Sequence, residues 1–304
     1  TDNQSHWLFD SFLFLEIMDT GTGGANKMFA KGYNLESANQ ADWTKLIDYY
    51  FQSETGIGAL DASVKEASAI LGTPRQKRQI VISIPEPIVY QHPEQASSST
   101  KYWGKIDNQT LDFSNSADRI KACKWYIDQV RAKFNEKNYQ HVELAGFYWL
   151  AEKATDTRDI LNAVAIYLNK LKYSFNWIPY YGADGYNQWK SLGFNYAYFQ
   201  PNYFFNESVP DSRLEDACQK ALTYDMHMEL EFDDNALNSR GKAYRLKNYM
   251  SAFKKHGIWE KKRLAYYQGS ASLLTLKKSG NAADTQLYHE FCNFVISRPI
   301  RSSH

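Results

Sequence analysis

Met226-His227-Met228-Glu229-Leu230-Glu231-Phe232-Asp233 is the stretch from which the fold is best read. Alternate side chains of an extended strand point to opposite faces, so Met226, Met228, Leu230 and Phe232 share one face while His227, Glu229, Glu231 and Asp233 share the other. The apolar face suits packing beneath helices. Acidic groups on an inward sheet face are costly unless they are paired or sit at an open end, so two Glu and an Asp there demand a reason.

Outward from this stretch, comparable β-branched and aromatic runs occur at 12–18, 80–84, 142–149, 173–181, 196–205 and 264–268. Amphipathic segments with helical spacing lie between them, at 43–51, 59–71, 117–134, 157–171, 212–224, 240–256 and 285–296, with Asp156, Asp211 and Ser239 placed as N-caps. Such alternation is the signature of repeated βα units. One uninterrupted series of this length favours closure into a (β/α)8 TIM barrel over an open doubly wound sheet. Seven strands are identifiable and the eighth is not, so the barrel is expected to be incomplete or irregular. No repeat, low-complexity tract or linker divides the chain, which predicts a single domain over 1–304. The 86–112 segment, rich in Ser, Gln, Pro and Asn, is expected to be a long βα loop without structure of its own, hanging over the barrel mouth.

Composition removes several classes of function. The 304 residues, 43% of them hydrophobic, can build a substantial core, and no run approaches the ~20 apolar residues of a membrane-spanning helix. A net charge of +1 gives no field for nucleic-acid binding, and the clusters Lys254-Lys255 and Lys261-Lys262-Arg263 read as a helix end and its exit loop. Cys123, Cys218 and Cys292 fall in helical segments as core thiols, and the seven histidines lack metal-ligand spacing, so neither a metal nor a cofactor is expected. Thr1 to Ser5 reads as a polar leader left after processing or trimming.

Barrels of this kind carry their chemistry at the C-terminal ends of the strands. There the chain concentrates carboxylates: Glu231, with Glu229 and Asp233 as alternates, and Glu152, which follows Gly146-Phe147-Tyr148-Trp149-Leu150-Ala151. Two carboxylates from different strands are what glycoside hydrolysis needs, one protonating the leaving oxygen and the other attacking the anomeric carbon or activating water. Tyr148, Trp149, Trp177, Tyr180, Tyr181, Tyr203, Tyr266 and Tyr267 would supply flat apolar walls for sugar rings. The amides Asn176, Gln200, Asn202 and Gln268 could bond hydroxyls without adding charge, and Asp19 would line the mouth after the first strand. Asp19-Thr20-Gly21 has no second copy, as an aspartic protease would require. Gly21-Thr22-Gly23-Gly24 lacks the spacing of a nucleotide-binding loop, and Gly-x-Ser-x-Gly is absent.

Phe9-Asp10-Ser11-Phe12-Leu13-Phe14-Leu15, Ile82-Ser83-Ile84-Pro85, Gly146-Phe147-Tyr148-Trp149 with Glu152, Ile178-Pro179-Tyr180-Tyr181, Phe199-Gln200-Pro201-Asn202-Tyr203 and Met228-Glu229-Leu230-Glu231-Phe232 resemble a bacterial family catalogued as a domain of unknown function. The likeness runs from about residue 8 to the end. That family occurs in secreted proteins of Bacteroidetes and Firmicutes and looks like a glycoside-hydrolase-type barrel, so the resemblance implies fold and carbohydrate context.

The expectation is therefore a secreted, periplasmic or cell-surface glycoside hydrolase, monomeric, acting on a polysaccharide or oligosaccharide with Glu152 as general acid/base and Glu231 as nucleophile or base. The alternatives are a non-catalytic glycan-binding barrel, whose carboxylates only accept hydrogen bonds, and a polysaccharide lyase.

Overall fold

The computed structural model describes residues 5–19, 27–33, 35–95 and 98–299. Thr20, the Gly21 to Gly24 motif and the leader up to Gln4 lie outside the described residues. Two compact units make up the chain: Phe9–Trp177 with Gln188–Asn195, and Thr1–Leu8 with Ile178–Asn187 and Tyr196–His304.

In chain order the first unit carries β1 (Ser11–Phe14), α1 (Gln40–Tyr50), α2 (Ile57–Leu71), β2 (Arg78–Ile84), β3 (Tyr102–Ile106), β4 (Gln109–Asp112), α3 (Ser116–Lys137), β5 (Val142–Trp149), α4 (Arg158–Lys170) and β6 (Ser174–Trp177). Four of these strands form a parallel sheet in the order β1-β2-β5-β6. The register aligns Ile82 with Phe147 and Phe175, and Ile84 with Trp149 and Trp177, so one face is a continuous apolar row, wholly buried. Burying each indole contributes about 4–6 kcal/mol at ~25 cal/mol per Å² of apolar surface. Phe194 extends the row by stacking on Trp177 with ring centroids 4.7 Å apart. On the opposite face Gly146 lies opposite Ser174, where a Cβ would come within 2.0 Å of the Ser174 hydroxyl. Glycine there lets Asn176 reach the Phe147 carbonyl at 3.0 Å.

The second unit continues with β7 (Tyr196–Phe199), α5 (Ser212–Thr223), β8 (His227–Glu231), α6 (Ala243–Lys255), α7 (Ile258–Lys261), β9 (Leu264–Tyr267), α8 (Ser272–Lys278) and α9 (Ala282–Ile296). Its three strands are parallel, in the order β7-β8-β9. Leu230 aligns with Tyr266 and Glu231 with Tyr267. Tyr266 and Phe232 both contact Phe291 of α9, which marks the helix-covered face. Gln200, Glu229, Glu231 and Tyr267 fall on the other.

All seven expected parallel strands are present, four in one unit and three in the other, and an eighth is not seen among the described residues. The α/β class with barrel-like alternation stands. β6 and β7 stop sooner than hydropathy suggests because Pro179 and Pro201 follow them and cannot donate to a ladder.

Three capping expectations need correction. Asp156 precedes the true N-cap, Thr157; Asp211 sits at the N-cap of α5 in helical conformation and caps nothing; Ser239 lies in a 3-10 turn ahead of α6. The 86–112 segment also needs correction, because it carries the β3-β4 hairpin. Asp107 and Asn108 both have left-handed backbone angles, φ 50 and 62°, which suit a two-residue hairpin turn. Trp103 anchors the hairpin against Trp43 of α1 at 5.1 Å and against Phe113 at 5.7 Å. The Gln40 side chain both donates to the Lys105 carbonyl and accepts its N–H, each at 2.9 Å, acting as a surrogate neighbouring strand.

Candidate active site

Each unit carries acidic side chains at or just beyond the C-terminal ends of its strands. In the second unit the site is built around Glu231, the last residue of β8, with 0% of its surface exposed. Its Oε1 accepts from Gln200 Nε2 at 2.9 Å and its Oε2 from the Tyr249 hydroxyl at 2.6 Å. The backbone N–H groups of Asn202 and Tyr203 also donate to it. Asn202 stands in the left-handed region, φ 50°, which Asn tolerates better than most residues; the successive N–H groups form an anion cradle. Burial nevertheless outweighs these donors and raises the proton affinity of Glu231 above the usual glutamate range. The Tyr249 phenol is likewise pushed up, first by burial and then by the adjacent Glu231.

The guanidinium of Arg245, packed on this loop, is spent on backbone. Arg245 donates to the carbonyls of Tyr203, Asn206 and Val209 while stacking on the Tyr203 ring at 3.7 Å. Tyr203 is itself buried, with its hydroxyl bonded to Asp211 and receiving Asn248 Nδ2 at 2.8 Å, and burial first, then Asp211, pushes its pKa up to about 12. It is part of the loop's framework and shows no ring face to solvent.

Other expected residues of this unit take varied places. Glu229 is buried on the same face as Glu231. Asp233 is half-buried and closes a local turn by accepting Asn235 N at 2.8 Å and Asn235 Nδ2 at 2.9 Å. Tyr180 is half-buried and bridges Gln200 through its backbone. Tyr181 bonds Asp216 and has one ring face covered by Arg213 at 3.8 Å. Gln268 accepts the N–H of Leu273 at 3.2 Å at the start of α8. Tyr267, by contrast, is 46% exposed and meets Phe205, 44% exposed, edge to face at 6.0 Å. This pair is an open aromatic surface next to the strand that carries Glu231. Phe205 was not among the expected residues, although Tyr203-Phe204-Phe205 after Pro201 is a visible aromatic run.

In the first unit Glu152 is half-buried in the loop between β5 and α4. That loop is held at several points. Trp177 Nε1 donates to the Ala151 carbonyl at 2.8 Å, Trp149 Nε1 to Thr157 Oγ1 at 3.3 Å, and Arg119 to the Asp156 carbonyl at 2.9 Å. Trp149 and Trp177 thus lie inside the core and buttress the Glu152 loop instead of walling a sugar, because both sit on the wholly buried sheet face. Tyr148 is buried on the opposite face. Asp19 is buried and closes its own loop by accepting the Lys27 N–H at 2.6 Å.

A carboxylate absent from the sequence expectation, Glu86, lies two residues beyond β2. The signal for it was a Glu between two prolines directly after a strand, Pro85-Glu86-Pro87. Among the described residues no group of three or more His, Cys, Asp or Glu could hold a metal ion, and no helix is long and apolar enough to cross a membrane.

No curated protein matches the chain. Among solved structures it is similar to a Bacteroides thetaiotaomicron protein described as a candidate alpha-L-fucosidase, at 14% identity and a TM-score of 0.48, over 94% of this chain and 82% of that one. The family profile described as Domain of unknown function (DUF4855) matches residues 1–293, and the chain belongs to that family.

Proposed function

We propose that the protein is an extracytoplasmic glycoside hydrolase, a monomeric (β/α) barrel domain over 1–304, acting on a polysaccharide or oligosaccharide. The observation that carries this reading is Glu231: a buried, proton-avid carboxyl at a strand end, in register with the exposed Tyr267, whose ring meets the exposed Phe205. A proton affinity raised by burial is in the direction a general acid requires, and exposed rings set edge to face suit the apolar faces of sugars. Glu231 therefore fits the acid better than the nucleophile, and Glu152 is proposed as the second carboxylate. Asp233 and Glu229 are the alternates.

The non-catalytic glycan-binding reading draws on one observation, the full enclosure of Glu231 by four hydrogen-bond donors. Reducing-end assays on a polysaccharide panel separate the two. Hydrolysis by the wild-type protein that is lost by about 10²-fold or more in both Glu231→Gln and Glu152→Gln is the expected result. Full activity in either variant removes that residue from the mechanism, and glycan retention without product release across the panel favours the binder.

A further inference from the structure

Of the two side chains that donate to Glu231 among the described residues, Gln200 is the one that reaches the surface: it is half-buried, whereas Tyr249 is fully enclosed. Its backbone is fixed on both sides, by its N–H donating to the Pro179 carbonyl at 3.0 Å and by Pro201, which follows it. The amide itself is bonded at one end only. Gln200 Nε2 donates to Glu231 Oε1 at 2.9 Å, while Gln200 Oε1 is buried and has no hydrogen-bond partner among the described residues. Buried acceptors are almost always paired, so an unpaired one beside a carboxyl needs a reason. Turning the amide by 180° exchanges its two ends within the same volume, and in either orientation the end away from Glu231 is unpaired. Glu231 alone then decides between the two: a carboxylate selects the amide nitrogen, and a proton on Glu231 Oε1 selects the amide oxygen.

The other oxygen of Glu231 cannot take the proton on equal terms. The Tyr249 hydroxyl donates to Glu231 Oε2 at 2.6 Å, and its own oxygen receives the Tyr203 N–H. Among the described residues that hydroxyl has no second acceptor, so a proton on Oε2 would set two buried hydrogens against each other. The charged and titratable groups of the surrounding elements do not supply one. Arg245 of α6 is spent on carbonyls and the Tyr203 hydroxyl on Asp211, while Tyr267 lies in register on β9. Glu229 shares the strand face, His227 stands at the far end of β8, and Asp233, beyond its near end, is bonded to Asn235. Burial, the largest influence on Glu231, favours its protonated form.

We propose that Gln200 is a positioning residue for proton delivery: the proton of Glu231 resides on Oε1, and the Gln200 amide turns over to accept it there, on the side where the site reaches the surface. The inference rests on the general-acid reading of Glu231 given above.

The first test needs no substrate. In the whole chain, labelled at glutamine amide nitrogens and glutamate carboxyl carbons, an NMR titration follows the Gln200 amide, identified by its loss in Gln200→Met, and the Glu231 carboxyl, identified by its loss in Glu231→Gln. Should either variant not fold, the near-isosteric Gln200→Glu, or Glu231→Asp with its carboxyl drawn out of reach, takes its place. The two signals are expected to share one midpoint above the ordinary glutamate range, and the amide response to vanish in the Glu231 variant. An amide that ignores the Glu231 midpoint, or that still responds in the Glu231 variant through Glu229 or Asp233, overturns the proposal. On a polysaccharide that the wild type cleaves, Gln200→Met is expected to lower kcat about tenfold with KM within about twofold. It should also raise the alkaline limb of the kcat profile by about half a pH unit or more, because a charged carboxyl loses more than a neutral one when the amide is removed. An unmoved limb overturns the proposal. Shared titration in a protein that cleaves no polysaccharide overturns only the hydrolase reading, while a cleaving protein whose amide does not follow Glu231 overturns only the role of Gln200.

Discussion

The hydroxyl of Tyr249, on α6, donates to Oε2 of Glu231, at the end of β8, across 2.6 Å with both residues buried. A helix and a strand are thereby joined by a bond that water cannot readily replace. Tyr249→Phe removes the donor but keeps the ring. The carboxyl then loses an interaction that favours its charged form, and the protein is expected to lose about 1–3 kcal/mol of stability in urea denaturation at neutral pH. An unchanged midpoint would show that the bond contributes nothing.

The pH dependence follows from the same carboxyl. The folded state holds the Glu231 proton more tightly than the unfolded chain does, because burial raises its pKa. Where the folded state binds more protons, stability falls as pH rises. The contribution is thus complete below the ordinary glutamate range and is lost as pH climbs through the raised value. Glu231→Gln, permanently neutral, should flatten the stability profile across that window, as read by thermal melts from pH 4 upward; a parallel profile would contradict the assignment.

Trp177 ties packing to the placement of Glu152, since its ring stacks on Phe194 and its Nε1 holds the Ala151 carbonyl. Trp177→Phe keeps most of the apolar contact but releases that carbonyl. Trp177→Ala is expected to cost about 3–5 kcal/mol. The phenylalanine variant is expected to cost less, yet to increase hydrogen exchange in the 150–157 loop, and equal protection in both proteins would count against the buttress.

Gly104 has no room for a side chain, because a Cβ there would lie 2.3 Å from Oε1 of Gln40. Gly104→Ala should therefore destabilise the hairpin by about 1–3 kcal/mol. Adding Gln40→Ala removes the contacts with Oε1 and Cδ, though not the one with its Cβ at 2.6 Å, while forfeiting the two bonds to Lys105, so the double-mutant cycle should show a coupling of at least ~0.5 kcal/mol. Strict additivity would mean that the two residues do not meet.

Much of this architecture was legible from periodicity, because a strand with one face under helices must alternate and β8 does so without exception. The same parity applied to β5 and β6 places Phe147, Trp149, Phe175 and Trp177 together, so the burial of both tryptophans was readable and was masked by their nearness to the strand ends. The hairpin had its own signal in Asp107-Asn108 between Tyr-Trp-Gly-Lys-Ile and Gln-Thr-Leu-Asp, which the polar composition of the surrounding loop obscured. The donors around Glu231 were a different matter. Two are backbone N–H groups made available by the left-handed turn at Asn202, and a third comes from the middle of α6, so no local pattern near residue 231 announces them.

The stacking of Phe194 on Trp177 bears on synthesis at the ribosome. The last strand of the first unit, β6, leaves the exit tunnel before the segment Gln188–Asn195, which supplies both that ring and the Asn195 side chain that accepts the Phe175 N–H at 2.7 Å. A nascent chain released at residue 177 would present an uncovered indole and an unbonded Phe175 N–H, an invitation to chaperones, so truncation there should aggregate more than a stop after Asn195.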